Sequence, residues 1–428
     1  MKIKKIVILG GGFAGIRAAQ DLAEKSIAAG LKIEIIVVDK ESTHLFRADL
    51  FEVATAFNKK ITDKCMFQLK ETIATPIRKL LFGRARFIQD EVMGIDAKER
   101  VVHLKDSGEL KYNYLIVAMG SETNYFNIPG LRENSMPMKV LQDGLKFNCH
   151  LDQFFMELSR KKISRTVNIV IGGGGATGVE MAAELIGALK KLCVKYHYDC
   201  KKVNVELIEG TEKLLGMNEA GTALVLARLK KIGVKVSLQN LIQKVDRKEL
   251  TLKSVNSTSA GGRGKLKKKF YDILVWTGGV MVNPVVAASL GEKKYGGAIL
   301  VNPFLQSYKD RNVFAGGDNA YFADPENPGK RLQMLASIAV QEGSVLAENV
   351  FCFIQGEEMK SFVPANVQMV IPIGGKYAIW QSGDRIFSGV WIWVIRRLVY
   401  LKYALSILPF WAALKKWLRS SRIFMDND

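Results

Sequence analysis

The chain has 428 residues, a length that predicts two or three domains. Hydrophobic residues make up 48% and charged residues 24%, which excludes a disordered chain and a collagen-like one. Lys and Arg outnumber Asp and Glu by 62 to 42, and the formal charge of +20 predicts an anionic partner: a nucleic acid, a membrane surface or an acidic small molecule.

The cysteines are scattered along the chain without a CxxC pair: Cys65, Cys149, Cys193, Cys200 and Cys352. This spacing predicts no metal knuckle, no iron–sulfur cluster and no other metal site. Reduced, mostly buried thiols in a cytosolic setting are the expected state. Lysines before an apolar run give residues 1–9 the look of a signal peptide, but the run is short and continues into glycines, and no segment predicts a transmembrane helix.

Two segments repeat one pattern of apolar strand, glycine turn, helix, second apolar strand and terminal acid. The first copy consists of the strand 6–9, the turn glycines Gly10, Gly12 and Gly15, a helix reaching residue 24, and the strand 33–38 ending at Asp39. The second consists of the strand 167–171, the turn glycines Gly173, Gly175 and Gly178, a helix reaching residue 192, and the strand 203–208 ending at Glu209.

Each turn has the spacing GxGxxG, and its context is that of a dinucleotide-binding fold. The first glycine allows the tight turn, the second lets the backbone approach a pyrophosphate, and the third packs the helix on the strand. The helix N-terminus presents free N–H groups to the phosphates, and the acid accepts hydrogen bonds from a ribose. Two copies predict two dinucleotides, for which FAD and NAD(P) are the natural pair. Because a carboxylate at Glu209 repels a 2′-phosphate, NADH is favoured over NADPH.

Three later strands are predicted to complete the two folds: residues 114–117 before Gly120, residues 273–276 before Gly278, and residues 313–315 before Gly317 and Asp318. An acid at Asp318 can bind the ribitol of a flavin. The expected fold class is therefore α/β, with two Rossmann-like domains. We expect a discontinuous FAD domain over 1–122 and 288–360, an inserted NADH domain over 123–287, and a C-terminal membrane-binding region over 361–428.

The chain resembles the type II NADH dehydrogenases, the single-subunit, non-proton-pumping NADH:quinone oxidoreductases of respiratory chains. The resemblance spans nearly the whole chain. Beyond the glycine turns it is carried by His44-Leu45-Phe46, Phe51–Thr55, Gly120–Phe126, Ile128-Pro129-Gly130, Phe314–Asn319 and the C-terminal segment.

The resemblance implies non-covalent FAD, with NADH as substrate. It places FAD on Gly10, Gly12, Phe13, Ala14, Gly15, Asp39, Lys40, Val92, Gly120, Gly317, Asp318, Ala336 and Lys376. It places NADH on Gly173, Gly175, Gly178, Glu209 and Gly278.

Three residues are the candidates for positioning and proton handling: Glu180, Gln341 and Ser337. Glu180 lies in the first turn of the second glycine-turn helix, where the family has a Glu near the reacting rings. The family pattern Ala-Gln-x-Ala-x-Gln stands here as Ala336–Gln341, so Gln341 matches and Ser337 departs from the usual Gln. In the family this helix face meets the quinone, and NADH approaches the opposite face of the flavin. The N-terminal dipole of this helix also favours the charge of a reduced flavin.

The C-terminal segment predicts a membrane-binding surface. Residues 376–425 hold nine basic residues, one acid and five of the six tryptophans. Pro409 separates two helical stretches; in the second, Lys415, Lys416, Arg419 and Arg422 fall on one face, with Phe410, Leu414, Trp417 and Leu418 opposite. A basic amphipathic helix with Trp favours an anionic membrane surface, with a dimer interface or a helix docked on the core as the alternative. We expect a peripheral protein on the cytoplasmic face of the cell membrane, a homodimer, and no binding of nucleic acid. The basic residues of 254–269 are expected in a solvated loop.

Three other functions remain open at the level of the sequence. A sulfide:quinone oxidoreductase needs paired cysteines beside the flavin, for which Cys149 and Cys352 are the candidates, although the run around Cys352 is typical of a core helix. A soluble NADH:acceptor reductase would work without the tail beyond about residue 386. A regulatory flavoprotein would bind acidic partners or nucleic acid.

Overall fold

The computed structural model describes residues 3–57, 63–255, 266–325, 327, 329–365, 369–383 and 385–425. The chain separates into two compact units: residues 1–45, 74–122 and 280–367 form the first, and residues 46–73, 123–279 and 368–428 form the second. The domain boundaries expected from the sequence stay a prediction.

The α-helices are α1 (Phe13–Ala28), α2 (Leu50–Thr55), α3 (Asp63–Ile73), α4 (Ile77–Leu80), α5 (Leu131–Asn134), α6 (Leu141–Arg160), α7 (Ala176–Lys195), α8 (Glu219–Ile232), α9 (Pro284–Ser289), α10 (Ala336–Gln355), α11 (Val390–Ile407) and α12 (Phe410–Met425). The strands are β1 (Lys4–Leu9), β2 (Ile33–Asp39), β3 (Thr43–Leu45), β4 (Ala74–Pro76), β5 (Arg86–Gln89), β6 (Val92–Asp96), β7 (Val101–Leu104), β8 (Gly108–Lys111), β9 (Tyr114–Val117), β10 (Ser121–Thr123), β11 (Met136–Pro137), β12 (Val167–Gly172), β13 (Val203–Ile208), β14 (Val234–Ser237), β15 (Asn240–Val245), β16 (Glu249–Ser254), β17 (Leu266–Phe270), β18 (Ile273–Trp276), β19 (Val280–Val282), β20 (Ile299–Leu300), β21 (Val313–Ala315), β22 (Ala320–Tyr321), β23 (Met369–Pro372), β24 (Ala378–Ser382) and β25 (Arg385–Gly389).

The first unit is built on a five-stranded parallel sheet in the order β21-β9-β1-β2-β5. The central strand β1 is apolar over Ile6–Leu9 and has no exposed surface there, as a parallel strand covered on both faces requires. Helices α1 and α10 pack against each other. The strand, glycine turn, helix and strand expected for the first copy are confirmed as β1, α1 and β2.

The second unit repeats this plan with a parallel sheet in the order β11-β18-β12-β13-β14. The expected second copy is confirmed as β12, α7 and β13. A separate antiparallel sheet, β15-β16-β17, carries three of the lysines expected in a loop, so that expectation is wrong for them. Lys267 to Lys269 lie on the strand β17, where Lys269 bonds to Glu206 at 2.6 Å. The other two basic residues, Arg263 and Lys265, lie outside the described residues.

A disulfide joins Cys193 and Cys200, so the expectation of reduced thiols is wrong for this pair. Cys193 lies in the last turn of α7, and the chain reverses after the helix to bring Cys200 back, with a Cα–Cα separation of 5.6 Å. A seven-residue separation is outside the CxxC pattern, which explains why the cysteine spacing did not predict this bond.

The tail forms a three-stranded antiparallel sheet, β23-β24-β25, followed by α11 and α12 on either side of Pro409. Tyr400 is 1% exposed, and its hydroxyl donates to the carbonyl of Thr72 at 2.9 Å. Within the second unit, α11 therefore contacts α3 through Tyr400, and α12 packs on both α3 and α11. Among the described residues, no helix combines the length and apolar character needed to cross a bilayer.

Candidate functional site

The first glycine turn is held by the acid that ends β2. The N–H of Gly10 donates to the carbonyl of Val38 at 2.7 Å. Asp39 accepts from the N–H of Gly11 at 2.6 Å through Oδ2, and from the N–H of Glu41 at 2.8 Å through Oδ1. The acid that was expected to bind a ribose therefore also fixes the turn.

The second glycine turn has the same construction in the second unit. The N–H of Gly173 donates to the carbonyl of Ile208 at 2.8 Å. Glu209 accepts from the N–H of Gly174 at 2.6 Å through Oε2, and from the N–H of Thr211 at 2.7 Å through Oε1. Each carboxylate oxygen has a further lone pair that can accept from a ribose hydroxyl.

The glycines of the two turns divide into those that the fold needs and those that leave space for a ligand. A Cβ on Gly178 would overlap the carbonyl of Gly173 and lie 2.7 Å from Thr277 Oγ1. A Cβ on Gly15 would likewise overlap the carbonyl of Gly10. A Cβ on Gly175 would meet nothing within 4 Å. This open position lies at the N-terminus of α7 and leaves room for a pyrophosphate.

Gly12 is the counterpart of Gly175 in the first unit. A Cβ built on Gly12 would meet only the carbonyl oxygen of Ala118, at 3.9 Å, an ordinary van der Waals distance. The backbone at Gly12 is extended, with φ of −79°, so a side chain would be compatible with the local conformation. The bare backbone therefore leaves room for a dinucleotide at the N-terminus of α1.

The end of the first unit at which the sequence predicts a flavin lies where β9 and β21 end. Asn319 is fully buried and makes two 2.9 Å bonds to the backbone of Gly120, one as acceptor and one as donor. Asp318 accepts a hydrogen bond from the Ser121 hydroxyl. The structure thus brings together the predicted Gly120, Gly317 and Asp318, and it adds Asn319 and Ser121.

Two further charged groups at this end were missed by the sequence reasoning. Glu342 on α10 is 3% exposed and accepts from the N–H of Gly317 at 2.5 Å; burial raises its pKa to about 8. Arg331 lines a cavity with Gly317, Leu335 and Glu342, and its buried Nη2 has no hydrogen-bond partner among the described residues. An orphaned guanidinium nitrogen beside a polar cavity fits an anionic or carbonyl group of a flavin. In the sequence both residues look like ordinary helix and loop charges.

The remaining residues predicted to bind FAD occupy varied positions in the first unit. Phe13 begins α1 and packs edge-on against His44, with ring centroids 5.2 Å apart. Ala14 is buried in α1, and Val92 is buried at the start of β6. Lys40 pairs with Glu122 at 3.9 Å across an exposed surface. Their contacts with FAD stay a prediction.

The face of α10 predicted to meet the quinone carries Ser337 and Gln341 one turn apart. Ala336 is the first residue of this helix. Ser337 is exposed. The amide of Gln341 donates to the carbonyl of Ser337 at 3.2 Å and accepts from the N–H of Ala365 at 2.8 Å. Gln341 thus tethers the segment that follows α10, and its contact with a quinone stays a prediction.

Glu180 lies in the second unit, in the first turns of α7, and is 7% exposed. Burial raises its pKa to about 8, while the guanidinium of Arg396 acts in the opposite direction and the carboxylate of Asp49 adds to the rise. The carboxyl group is therefore mostly protonated at neutral pH. A buried group with this pKa can give and take a proton near pH 7.

The Gly374-Gly375-Lys376 turn also lies beside α7. A Cβ on Gly374 would contact the carbonyl oxygen of Ala183 at 3.0 Å, and the carbonyls of Ile373 and Gly374 accept from Arg228. Lys376 is exposed and has a left-handed φ of 49°. Within the second unit, the structure therefore brings the turn of Lys376 to the helix of Glu180. Gly278, predicted to bind NADH, stands against the ring of Trp276.

The two cysteines considered for sulfide chemistry have the character of unreactive thiols. Cys352 is 5% exposed on α10, and Cys149 is half-buried on α6. Burial raises the pKa of both thiols, so the thiolate form that cysteine redox chemistry requires is disfavoured.

The basic face expected on α12 is only partly available to a membrane. Lys416 is half-buried and donates to the carbonyl of Glu71 at 3.0 Å, and Arg419 pairs with the Glu71 carboxylate. The exposed side of the tail is instead mainly apolar. It comprises Val390, Trp391, Ile395, Leu398, Val399, Leu405, Phe410, Trp411 and Leu418, together with Lys402, Lys415 and Arg422.

The family model described as pyridine nucleotide-disulphide oxidoreductase matches residues 4–343. A type II NADH:quinone oxidoreductase from Haemophilus influenzae is 28% identical over 394 residues, which cover 84% of this chain and 83% of that protein. A relative of the same description from Staphylococcus epidermidis is 27% identical and covers 90% of this chain and 91% of its own. The solved structure of NDH2 from Plasmodium falciparum in complex with NADH superposes with a TM-score of 0.83 at 17% identity, covering all of this chain and 97% of that one, a likeness of fold.

Proposed function

We propose that this chain, which belongs to the pyridine nucleotide-disulphide oxidoreductase family, is an FAD-dependent enzyme that oxidises NADH and reduces a quinone without pumping protons. The observation that carries the proposal is the duplicated glycine turn. Each compact unit holds one turn, clamped by its terminal acid and followed by a helix whose N-terminus is open. A relative that covers most of the chain is described by this activity.

FAD is proposed to bind in the first unit. Gly12 would receive the pyrophosphate at the N-terminus of α1, and Asp39 the adenosine ribose. Asp318 and the cavity beside Arg331 would receive the ribitol and flavin end. When bound, FAD supplies the chemistry of accepting a hydride and passing on two electrons, and the chain supplies binding, orientation and charge.

NADH is proposed to bind in the second unit, with its pyrophosphate at Gly175 and its adenosine ribose at Glu209. The carboxylate of Glu209 is fixed by two backbone N–H groups, so it cannot easily turn away from a 2′-phosphate. The fixed negative charge would favour NADH over NADPH.

Glu180 is proposed to hold and release the proton that accompanies electron transfer to the quinone. Its pKa of about 8 keeps the carboxyl group protonated at neutral pH, so it can donate a proton and then be reprotonated. Gln341 and Ser337 are proposed to line the quinone site. Lys376, on the turn beside α7, is proposed to contribute a positive charge near the flavin.

The exposed apolar side of α11 and α12 is proposed to bind an anionic membrane surface, on the cytoplasmic face of the cell membrane. Trp391 and Trp411 are 80% and 75% exposed, and Lys402, Lys415 and Arg422 lie among the apolar side chains. Burial of Trp and Leu at the interface, with attraction of lysines to anionic lipid, would hold the protein there. A homodimer is proposed from the resemblance alone.

The test is NADH oxidation by the purified protein with a soluble quinone, with and without anionic liposomes. We expect bound flavin, its bleaching by NADH, quinone-dependent turnover, and a higher rate with liposomes. A protein without flavin, or a flavin that NADH does not bleach, would overturn the proposal. Quinone-independent electron transfer to soluble acceptors alone would support the reductase alternative.

A further inference from the structure

The tail helix α11 carries two arginines into the core of the second unit. Arg396 and Arg397 are 7% and 5% exposed. Arg396 Nη2 donates to Asp49 Oδ1 at 2.6 Å and to the carbonyl of Ala48 at 2.8 Å. Arg397 Nη1 lies 3.6 Å from Asp49 Oδ2. One buried carboxylate therefore faces two buried guanidinium groups, which leaves a net positive charge.

This cluster lies next to the helix that carries Glu180. Asp49 directly precedes α2, and α2 packs against α7. The charged groups that act on Glu180 from these neighbouring elements are Arg396 of α11, which favours its carboxylate, and Asp49, which opposes it. Glu52 on α2 is 7% exposed and acts on Arg396, and Glu184 is buried one turn further along α7. The strand β23, which also packs on α7, holds no charged residue.

A guanidinium buried at this place has a large effect because the interior screens charges weakly. The Arg396–Asp49 bond, 2.6 Å long, holds the charge of α11 against the carboxylate that precedes α2. If Arg396 lost its charge, it would no longer oppose the effect of Asp49 on Glu180. Asp49 and Arg396 thus form a pair whose two members push the carboxyl group of Glu180 in opposite directions.

We propose that Arg396 is a positioning residue of the NADH:quinone reaction, through which the C-terminal helix α11 sets the protonation of Glu180. The tail then has a second role in addition to membrane binding: it supplies the counter-charge of the proton-carrying group. This inference rests on the proposed function of Glu180.

The experiment compares the pH profiles of quinone-dependent NADH oxidation for FAD-loaded wild type, R396Q, D49N, R397Q and E180Q. We expect the apparent pKa of the profile to rise in R396Q and to fall in D49N, each by about one unit, which is about tenfold in the ratio of the two protonation states. R397Q is the matched control, because Arg397 is similarly buried and contacts the same Asp49, while the opposing effect on Glu180 is assigned to Arg396. Its profile should stay at the wild-type position, and the profile of Arg396→Lys should stay close to it, because lysine keeps the positive charge.

The outcomes separate the two proposals. If E180Q keeps the wild-type profile, the proposed role of Glu180 is wrong. If E180Q loses the pH-dependent limb while R396Q and D49N superpose on the wild type, the inference about Arg396 is wrong and the function of Glu180 stands. A merely structural role of Arg396 would lower the rate and the melting temperature equally at every pH. Should R396Q fail to fold, the apparent pKa of the D49N profile tests the inference: a downward shift supports it, and an unchanged value contradicts it.

Discussion

Gly175→Ala tests whether Gly175 serves ligand binding, in contrast to Gly178, which the fold needs. The added methyl group would meet nothing within 4 Å, and the backbone there is extended, with φ of −72°. The folded protein should accept the change and gain up to about 1 kcal/mol, because alanine restricts the unfolded chain. Gly178→Ala, three residues later, should destabilise the protein, since its methyl group would overlap the carbonyl of Gly173.

Gly175→Ala should weaken the binding of the dinucleotide. A methyl group placed where the backbone meets the pyrophosphate costs about 1 to 3 kcal/mol of overpacking, which is about 5- to 150-fold in Kd. The assay is titration of the FAD-loaded protein with NAD⁺, which does not reduce the flavin, alongside thermal melting. An unchanged Kd for NAD⁺ in a fully folded Gly175→Ala protein would refute the assignment of this turn to the nicotinamide nucleotide. Gly12→Ala should instead lower FAD content and leave NAD⁺ binding intact.

Four further predictions follow from the site residues. Glu180→Gln should slow quinone-dependent turnover at least about tenfold while FAD stays bound, and unchanged kinetics would contradict its role. Glu209→Arg should shift the NADPH/NADH ratio of kcat/KM upward by at least about tenfold, or about 1.4 kcal/mol, with Glu209→Gln as the charge-neutral comparison. Glu342 has a folded-state pKa of about 8 against an ordinary 4.5, so the stability that its protonated form contributes is lost as the pH rises from about 4.5 to about 8. The melting temperature of Glu342→Gln should therefore rise relative to that of the wild type over this pH range. A difference in melting temperature that stays constant with pH would contradict the raised pKa. Trp391→Ser with Leu398→Ser should abolish cosedimentation with anionic liposomes without lowering the melting temperature, since both side chains are exposed.

The two dinucleotide folds could be predicted nearly to the residue because their signals are local. Apolar runs define β1, β2, β12 and β13, glycines mark the turns, and the terminal acids close each unit. Hydrophobic periodicity and turn chemistry agree there, so little depends on distant contacts.

The parts that the sequence did not reveal depend on contacts between distant segments. Arg396 and Asp49 are 347 positions apart, and only the folded second unit shows that they form a buried pair. The same holds for Lys416 and Arg419, which a helical wheel assigns to a basic face but which Glu71 draws toward α3. Arg331 and Asn319 become visible as site residues only when β9, β21 and the segment before α10 converge.

The way in which the chain passes between the two units has a consequence for its synthesis. The first unit needs β21 as the edge of its sheet and α10 against α1, yet these segments follow the whole of residues 123–279. The second unit in turn has buried positions filled by α11, such as Tyr400. During translation the first unit therefore stays incomplete until its segment 280–367 has been made, and the second until its segment 368–428 has been made. We expect the apolar strands of both units to stay unpaired until these later segments are made, and the first unit to be able to close before the tail of the second is complete.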